Sequence, residues 1–263
     1  MQQRNLISRI RNRFKDVPDY ITGFRFFYGL RLLLKRFFLL PILVRTKNGS
    51  VVFLGLDGVD DTILRHLNDT HQHIYFFSSI NLKKDDVVLD VGAHHGIYSQ
   101  ELGSRFPGIK IYSFEPDPKS MRYLKINRFL NFGKQITPIP SALDARSGMG
   151  YIVQSDEGSW GNYLSDLKEK DSAAISLISI TDFLMQYKIS SVALMKLNAE
   201  GSEFGILPQL FAAGVFPSRI ILFAHPEKGD VEGLLKTIVQ NGYKVEFERD
   251  DQYRPCYIFC LAN

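Results

Sequence analysis

Four short polar stretches carry the residue types that chemistry needs. In "KLNAEGSEF" (196–204) an apolar run ends in Asn198, and Glu200 and Glu203 follow around Gly201. Two carboxylates there can accept a proton or a hydrogen bond where a strand hands over to a helix, Ser202 being placed to cap it and Glu203 to face its dipole. "FAHP" puts His225, whose side chain ordinarily titrates nearest neutrality, at the end of another apolar run. "DVGAHHG" sets Asp90, Gly92 and Gly96 after "VVL". Glycines in such a loop let a ligand approach the backbone, and the helix behind it offers free N–H groups to a carboxylate or phosphate. The spacing is G-x-x-x-G, not the G-x-G-x-x-G of a dinucleotide site. "SFEP" ends a further run in Glu115, an acid suited to the two hydroxyls of a ribose.

These stretches share a position: each follows a short apolar run. "DVVLDVG", "KIYSFEP", "QITPIPSAL", "SVALMKLN" and "SRIILFAHP" read as buried-type strands, and segments of helical spacing lie between them. Asp117 is placed to cap the helix "DPKSMRYLKINRFLNF", with Pro118 in its first turn. "SLISITDFLMQY" runs from strand to helix with Thr181 as its expected cap, and "SEFGILPQLFAAG" is a helix interrupted or kinked at Pro208. The alternation argues for a mostly parallel sheet covered by helices on both faces. Ligands then bind beyond the carboxyl ends of the strands, where strand order reverses. Residues 144–174, rich in Gly, Ser and Asp and holding the only tryptophan, form either an antiparallel excursion or a flap. "ILVRTKNGSVVFLGLDG" reads as a hairpin turning at "KNG", and "YKVEFE" and "PCYIFCLA" as closing strands.

With 263 residues, 45% of them hydrophobic, the chain is long enough for one large domain. Residues up to Arg45 carry ten basic and two acidic side chains, a net +8, and the remainder 22 and 26, a net −4. Basic character belongs to a separate, aromatic-rich N-terminal helical arm, residues 1–45, ahead of a main domain spanning 46–263. Its longest uncharged apolar run, "FFLLPILV", is far too short to span a bilayer, and it lacks the pattern of a secretory signal, so no export is expected. A helix closed by Pro41 suits an anionic membrane surface, a packed arm or a nucleic-acid contact. Cys256 and Cys260 read as core thiols of a reducing compartment, and His66, His71 and His73 as ordinary surface or hinge histidines.

Taken together, "VVLDVGAHHGIYSQEL", "IYSFEPDP", "SALDARSG" and "ISITDFL…VALMKLNAEGSEFGIL…IILFAHP" resemble, in order and spacing, the FkbM-type family of S-adenosylmethionine-dependent methyltransferases, over roughly residues 50–262. The resemblance implies the class I (Rossmann-like) fold with a seven-stranded sheet. It implies S-adenosylmethionine held by Asp90, Gly92, Ala93, His94, Gly96, Glu115, Pro116 and Asp117, with Ser141 and Ala142 near the adenine. Many members methylate hydroxyls of sugars, antibiotics or surface glycans. Two positions depart from the family's pattern. His94 stands where D-V-G-A-N-x-G has Asn, and Asn198 stands where K-I-D-V-E-G-x-E has an acid that would act as base or ligate a divalent cation. The candidate catalytic set is therefore Asn198, Glu200 and His225, with His225 the better-poised base; Lys196, inside its strand, is expected to pair with an acid. No metal-ligand set is visible, and metal dependence stays open. The expected activity is O-methylation of a saccharide, glycolipid or related natural product, in the cytoplasm with the arm at the inner membrane surface. The rivals are a non-catalytic binding or assembly subunit, suggested by Asn198, and a nucleic-acid methyltransferase, for which the N-P-P-aromatic context is missing; no nucleic-acid partner is expected.

Overall fold

A computed structural model describes residues 42–45, 50–54, 80–131, 133–153, 163–165, 167–169, 172–249 and 256–261. The N-terminal arm up to Pro41, the "KNG" turn, the three histidines between 55 and 79, and Trp160 lie outside the described residues. Ile42–Arg45 (β1) and Val51–Leu54 (β2) pair antiparallel, Ile42 opposite Leu54 and Arg45 opposite Val51, the hairpin expected of two apolar runs. From there the chain alternates: β3 (Val87–Val91), α1 (Ile97–Arg105), β4 (Lys110–Phe114), α2 (Pro118–Leu130) and β5 (Ile136–Ile139). An excursion follows, made of β6 (Ala142–Asp144), β7 (Gly148–Val153), β8 (Tyr163–Ser165) and β9 (Ser172–Ser179). Then come α3 (Ile180–Tyr187), β10 (Leu194–Leu197), α4 (Glu203–Ala212), β11 (Arg219–Phe223), α5 (Val231–Gln240), β12 (Tyr243–Arg249) and β13 (Cys256–Leu261).

The main sheet has seven strands in the order β12-β13-β11-β10-β3-β4-β5, with β13 antiparallel to both neighbours and the pairings from β11 to β5 all parallel. Strand order reverses between β3 and β10, so the crevice beyond their carboxyl ends is the expected ligand site. Alternation along each strand supplies both faces. Leu89, Phe114, Met195, Leu197, Ile220 and Leu222 pack against Phe183 of α3, Leu207 of α4 and Ile238 of α5. Val88, Ile111, Leu194 and Ile221 pack against Tyr98 and Leu102 of α1. Each fully buried side chain of this kind contributes about 1.5–3 kcal/mol, enough for the sheet to hold a polar crevice rigidly.

The residues after Asp144 form the antiparallel excursion, not a flap alone: a second sheet of order β6-β9-β7-β8, joined to the first through the short link from β5 to β6. Three local expectations change. The cap of α3 is Ser179, whose side chain accepts from Asp182 N at 3.0 Å, because its backbone is still extended while Thr181 already lies in the helix. Pro208 does not interrupt α4, which runs from Glu203 through Ala212. Ser202 makes no side-chain capping bond, its backbone being helical already. By contrast Asp117 caps α2 as expected, accepting from Ser120 N at 2.8 Å with Pro118 in the first turn.

Candidate active site

The loop after β3 is shaped by three left-handed residues, Gly92 (φ 71°), His94 (φ 51°) and Gly96 (φ 75°). Gly92 is obligatory for a second reason: a Cβ there would stand 2.0 Å from the carbonyl oxygen of Asn198 at the end of β10. Gly96 sits at the N-cap of α1 with no side chain capping it, so the first turn presents its N–H groups outward. His94 occupies a conformation that Asn also tolerates, and its ring stacks on His95 with centroids 3.9 Å apart. His95 in turn packs at a tilt against Tyr123 of α2, with centroids 4.5 Å apart.

Behind the loop lies a buried charge network dictated by strand register. Lys196 of β10 and Ser113 of β4 are the direct neighbours of Asp90 on β3. Lys196 Nζ is 3.1 Å from Asp90 Oδ1 and donates to the carbonyl oxygens of Gly92 (2.7 Å) and Val91 (3.2 Å). The second Asp90 oxygen accepts from Ser99 Oγ of α1 at 2.6 Å, and that hydroxyl also contacts Ser113 Oγ at 2.7 Å. Asp90 is therefore enclosed by Lys196 and Ser99. It anchors Lys196, which holds the loop carbonyls.

Glu115, just beyond β4, is buried and accepts from His94 N (2.7 Å) and Asp117 N (2.9 Å). Burial raises its pKa from 4.5 to about 7 against the lowering effect of those two N–H donors. Of the other residues expected near a cofactor, Ala93 is buried in the loop, its N–H extending the β3–β4 pairing to Phe114 O at 2.9 Å. Pro116 is half-buried, and Asp117 is turned to its cap. Ser141 and Ala142 lie at the link to β6, where Ser141 borders a cavity of about 420 Å³ between β5, β9 and α3, also lined by Pro138, Asp182, Gln186 and Tyr187. That cavity touches neither β3 nor β10.

Across the crevice, the turn after β10 carries the acids. Glu200 is left-handed (φ 50°) and Gly201 follows at φ 109°. Glu203, at the first position of α4, is fully buried, and three donors converge on its carboxylate: Gly201 N (2.9 Å) on Oε2, His225 N (3.1 Å) and His225 Nδ1 (2.7 Å) on Oε1. The opposite ring nitrogen, His225 Nε2, stands 3.4 Å from Glu200 Oε2. Burial pulls the His225 pKa down, but Glu200 and Glu203 outweigh it and raise it from 6.5 to about 9. The two carboxylates thus favour the charged form of His225, which counts against its expected role as the better-poised base. Asn198 Oδ1 is buried and receives no hydrogen bond. Lys228, in the turn after β11, lies over the Tyr163 ring of β8 at 4.7 Å, bringing the second sheet to this edge of the crevice.

The sequence profile of the methyltransferase FkbM domain matches residues 90–245. The chain belongs to that family. Among solved structures it is similar to the methyltransferase FkbM from Methylobacillus flagellatus KT, with a TM-score of 0.50 and 16% identity over 93% of this chain and 61% of that one. It therefore spans under two thirds of that relative's length. It is similar also to the precorrin-6y C5,15-methyltransferase from Geobacter metallireducens GS-15 (TM-score 0.41, 16% identity, 71% of this chain and 85% of that one). A third is TrmK from M. capricolum bound to S-adenosyl-homocysteine (TM-score 0.42, 15% identity, 69% and 64%). No curated protein matches.

An FkbM methyltransferase implies S-adenosylmethionine, and the residues present fit it. An uncapped helix start follows a glycine loop at the strand switch, a buried carboxylate ends the neighbouring strand, and Asn198 Oδ1 is an acceptor still lacking a donor. Among the described residues no group of three or more His, Cys, Asp or Glu is disposed to hold a metal ion, and no helix is long and apolar enough to cross a membrane. Two residues that support the loop after β3 were missed in the sequence. Asn127 of α2 is wholly buried and donates Nδ2 to His95 O at 2.9 Å while its Oδ1 accepts from Phe53 N of β2 at 2.7 Å. Asn131, one turn on, bonds both Val51 N (2.6 Å) and Val51 O (2.7 Å). The pair docks the hairpin against the cofactor loop, and a helical i, i+4 asparagine repeat was the only hint.

Proposed function

We propose that this chain methylates a hydroxyl group of a saccharide or glycolipid acceptor, with its basic N-terminal arm holding it at an anionic membrane surface. The observation that supports this reading is the Glu200 carboxylate, held by an imidazolium at the strand ends beside the cofactor crevice. A sugar hydroxyl is a weak nucleophile and gains from an anionic group that takes its proton as the bond to carbon forms. Bound S-adenosylmethionine supplies the electrophilic methyl group. In this reading Glu115 accepts hydrogen bonds from the ribose hydroxyls, the first turn of α1 faces the carboxylate of the methionine moiety, and Asn198 Oδ1 accepts from its ammonium group. The arm's net charge of +8 and its interleaved aromatic residues support membrane contact.

Isothermal titration with S-adenosylmethionine and S-adenosylhomocysteine tests the foundation, and the absence of sub-millimolar binding removes it. Labelled-methyl transfer into lipid-linked glycan extracts of the source organism tests the acceptor class. Vesicle flotation of the full chain against a version lacking residues 1–45 tests the arm, and identical behaviour refutes its role. One observation favours a second reading, a non-catalytic binding subunit: Asn198 cannot serve as the base or cation ligand that an acid there would provide. Cofactor binding without turnover on a broad acceptor panel, indifferent to Glu200→Gln, would establish that rival.

A further inference from the structure

The arrangement of Glu203, His225 and Glu200 goes further than a list of acids near a crevice. Glu203 is at the start of α4, His225 just beyond β11, and Glu200 in the turn between β10 and α4, so three elements converge on one imidazole. Nδ1 is hydrogen-bonded to Glu203 at 2.7 Å, while Nε2 makes no hydrogen bond and faces Glu200 Oε2 at an ion-pair distance of 3.4 Å. Two carboxylates facing opposite nitrogens of one ring favour its charged form over the neutral one. Glu203 also receives two backbone donors, Gly201 N and His225 N, so one buried carboxylate ties the turn carrying Glu200 to the strand end carrying His225. Glu200 keeps a left-handed backbone that non-glycine residues seldom adopt, and it is the partly exposed member of the cluster.

We propose that Glu203 is a positioning residue which, through His225, fixes the carboxylate of Glu200 as the group that receives the acceptor's proton. The proposal rests on the hydroxyl-methylation reading above. As the acceptor oxygen forms its bond to the methyl carbon, the carbon–sulfur bond breaks with its electron pair going to sulfur, and the hydroxyl proton passes to Glu200 and then to solvent. His225 keeps its own proton throughout. Its charge balances one carboxylate of the two, so the cluster carries a net −1 before the proton arrives. The groups that face the imidazole are Glu200 from the turn and Glu203 from α4. On its own element the neighbouring cation, Lys228, is turned to Tyr163 of β8.

The test uses the full chain, as wild type, Glu203→Gln, which preserves shape, and Glu203→Asp, which preserves charge. The ionisation of His225 is followed by NMR of histidine-labelled protein, and methyl transfer from S-adenosylmethionine into lipid-linked glycan extract is measured from pH 6 to 10. In the wild type His225 is expected to stay protonated to about pH 9 and turnover to fall above it. Glu203→Gln is expected to shift both the titration and the alkaline limb down by one unit or more and to cut kcat roughly 10- to 100-fold, with Glu203→Asp restoring part of each. Cofactor affinity, measured by titration calorimetry, stays within about threefold, which separates positioning from unfolding. A wild-type His225 that titrates near 6.5 overturns the proposal whether or not any acceptor is methylated. So does a Glu203→Gln variant whose pH profile and kcat are unchanged. If the wild type binds the cofactor but methylates nothing in the extract, the acceptor reading fails, and the His225 titration still decides whether the cluster is held as described.

Discussion

Lys196→Met is the most direct perturbation of the loop that holds the cofactor. The side chains of Lys196 and Asp90 are 4% and 0% exposed, and their charged atoms are 3.1 Å apart. At an effective dielectric constant of about 20, unit charges at that distance attract by about 5 kcal/mol. Much of that attraction offsets the cost of burying both ions, so the pair's net contribution is small. Removing one partner is different, because Asp90 Oδ1 has no other hydrogen-bond donor and would be left as a buried, unpaired charge. Breaking such a pair costs about 3–5 kcal/mol, and here the carbonyls of Val91 and Gly92 lose their donor as well. At roughly 2–4 °C per kcal/mol for a domain of this size, Tm should fall by about 10 °C. Adding Asp90→Asn removes the orphaned charge while leaving an acceptor for Ser99, so the double variant should recover about 2 kcal/mol relative to the sum of the singles. Urea unfolding of the four proteins measures the cycle, and calorimetry with S-adenosylmethionine should show affinity reduced about tenfold in Lys196→Met as Gly92 O moves. A Lys196→Met cost below about 1 kcal/mol, or strict additivity with Asp90→Asn, would refute the reasoning.

Other positions give sharper local tests. Glu115 binds its proton more tightly folded than unfolded, so between about pH 4.5 and 7 the folded state holds more protons, and stability falls by about 3 kcal/mol as pH rises through that window. Thermal melts should show this slope in the wild type and not in Glu115→Gln, while cofactor affinity should strengthen from pH 6 to 8 as the carboxylate ionises. His225, raised to about 9, contributes stability that is complete below pH 6.5 and lost as pH rises to 9, again about 3 kcal/mol, with the slope reduced by Glu203→Gln. Gly92→Ala places a Cβ 2.0 Å from Asn198 O in a left-handed residue, and should destabilise the fold by several kcal/mol and abolish cofactor binding in calorimetry. Asn127→Ala removes the side chain that bonds Phe53 N and His95 O, at about 1–3 kcal/mol, and hydrogen exchange at the Phe53 amide should accelerate.

What the sequence revealed and what it hid divide along a physical line. Largely apolar runs followed by a polar residue located β3, β4, β10 and β11, because a strand buried on both faces is read from such runs. The Asp117–Pro118 start of α2 was legible because capping is settled by three or four consecutive residues. Lys196 was expected to pair with an acid, but that the acid is Asp90 depends on the register of β10 against β3, which links residues more than a hundred positions apart. The same holds for His225: its charge is set by residues 22 and 25 positions earlier, and reading it alone suggests an ordinary imidazole base. Ser179 replaced Thr181 as a cap because β9 runs into α3 with no loop between them, so composition could not mark the boundary. Asn127 was hidden most completely, since a buried amide bridging a hairpin and a loop resembles any helical asparagine in sequence.

Asn198 lies between Lys196 and Glu200 in the chain, and so between the two charge networks. An aspartate there would add a second carboxylate beside Glu200, its oxygen at a position that is buried and without a donor. Lys196 cannot compensate it, being committed to Asp90 and two carbonyls, and neither can His225, shared already between Glu200 and Glu203. An unpaired buried anion costs several kcal/mol, whereas a neutral amide oxygen without a donor costs about 1–3 kcal/mol and recovers it when a ligand donates. The asparagine is therefore the side chain this charge network tolerates. Its presence leaves Glu200, with His225 and Glu203 behind it, as the remaining anionic proton acceptor in the turn after β10. If that is right, Asn198→Asp should lower stability while leaving the His225 titration in place. A variant as stable as the wild type would mean that the site can hold two carboxylates after all.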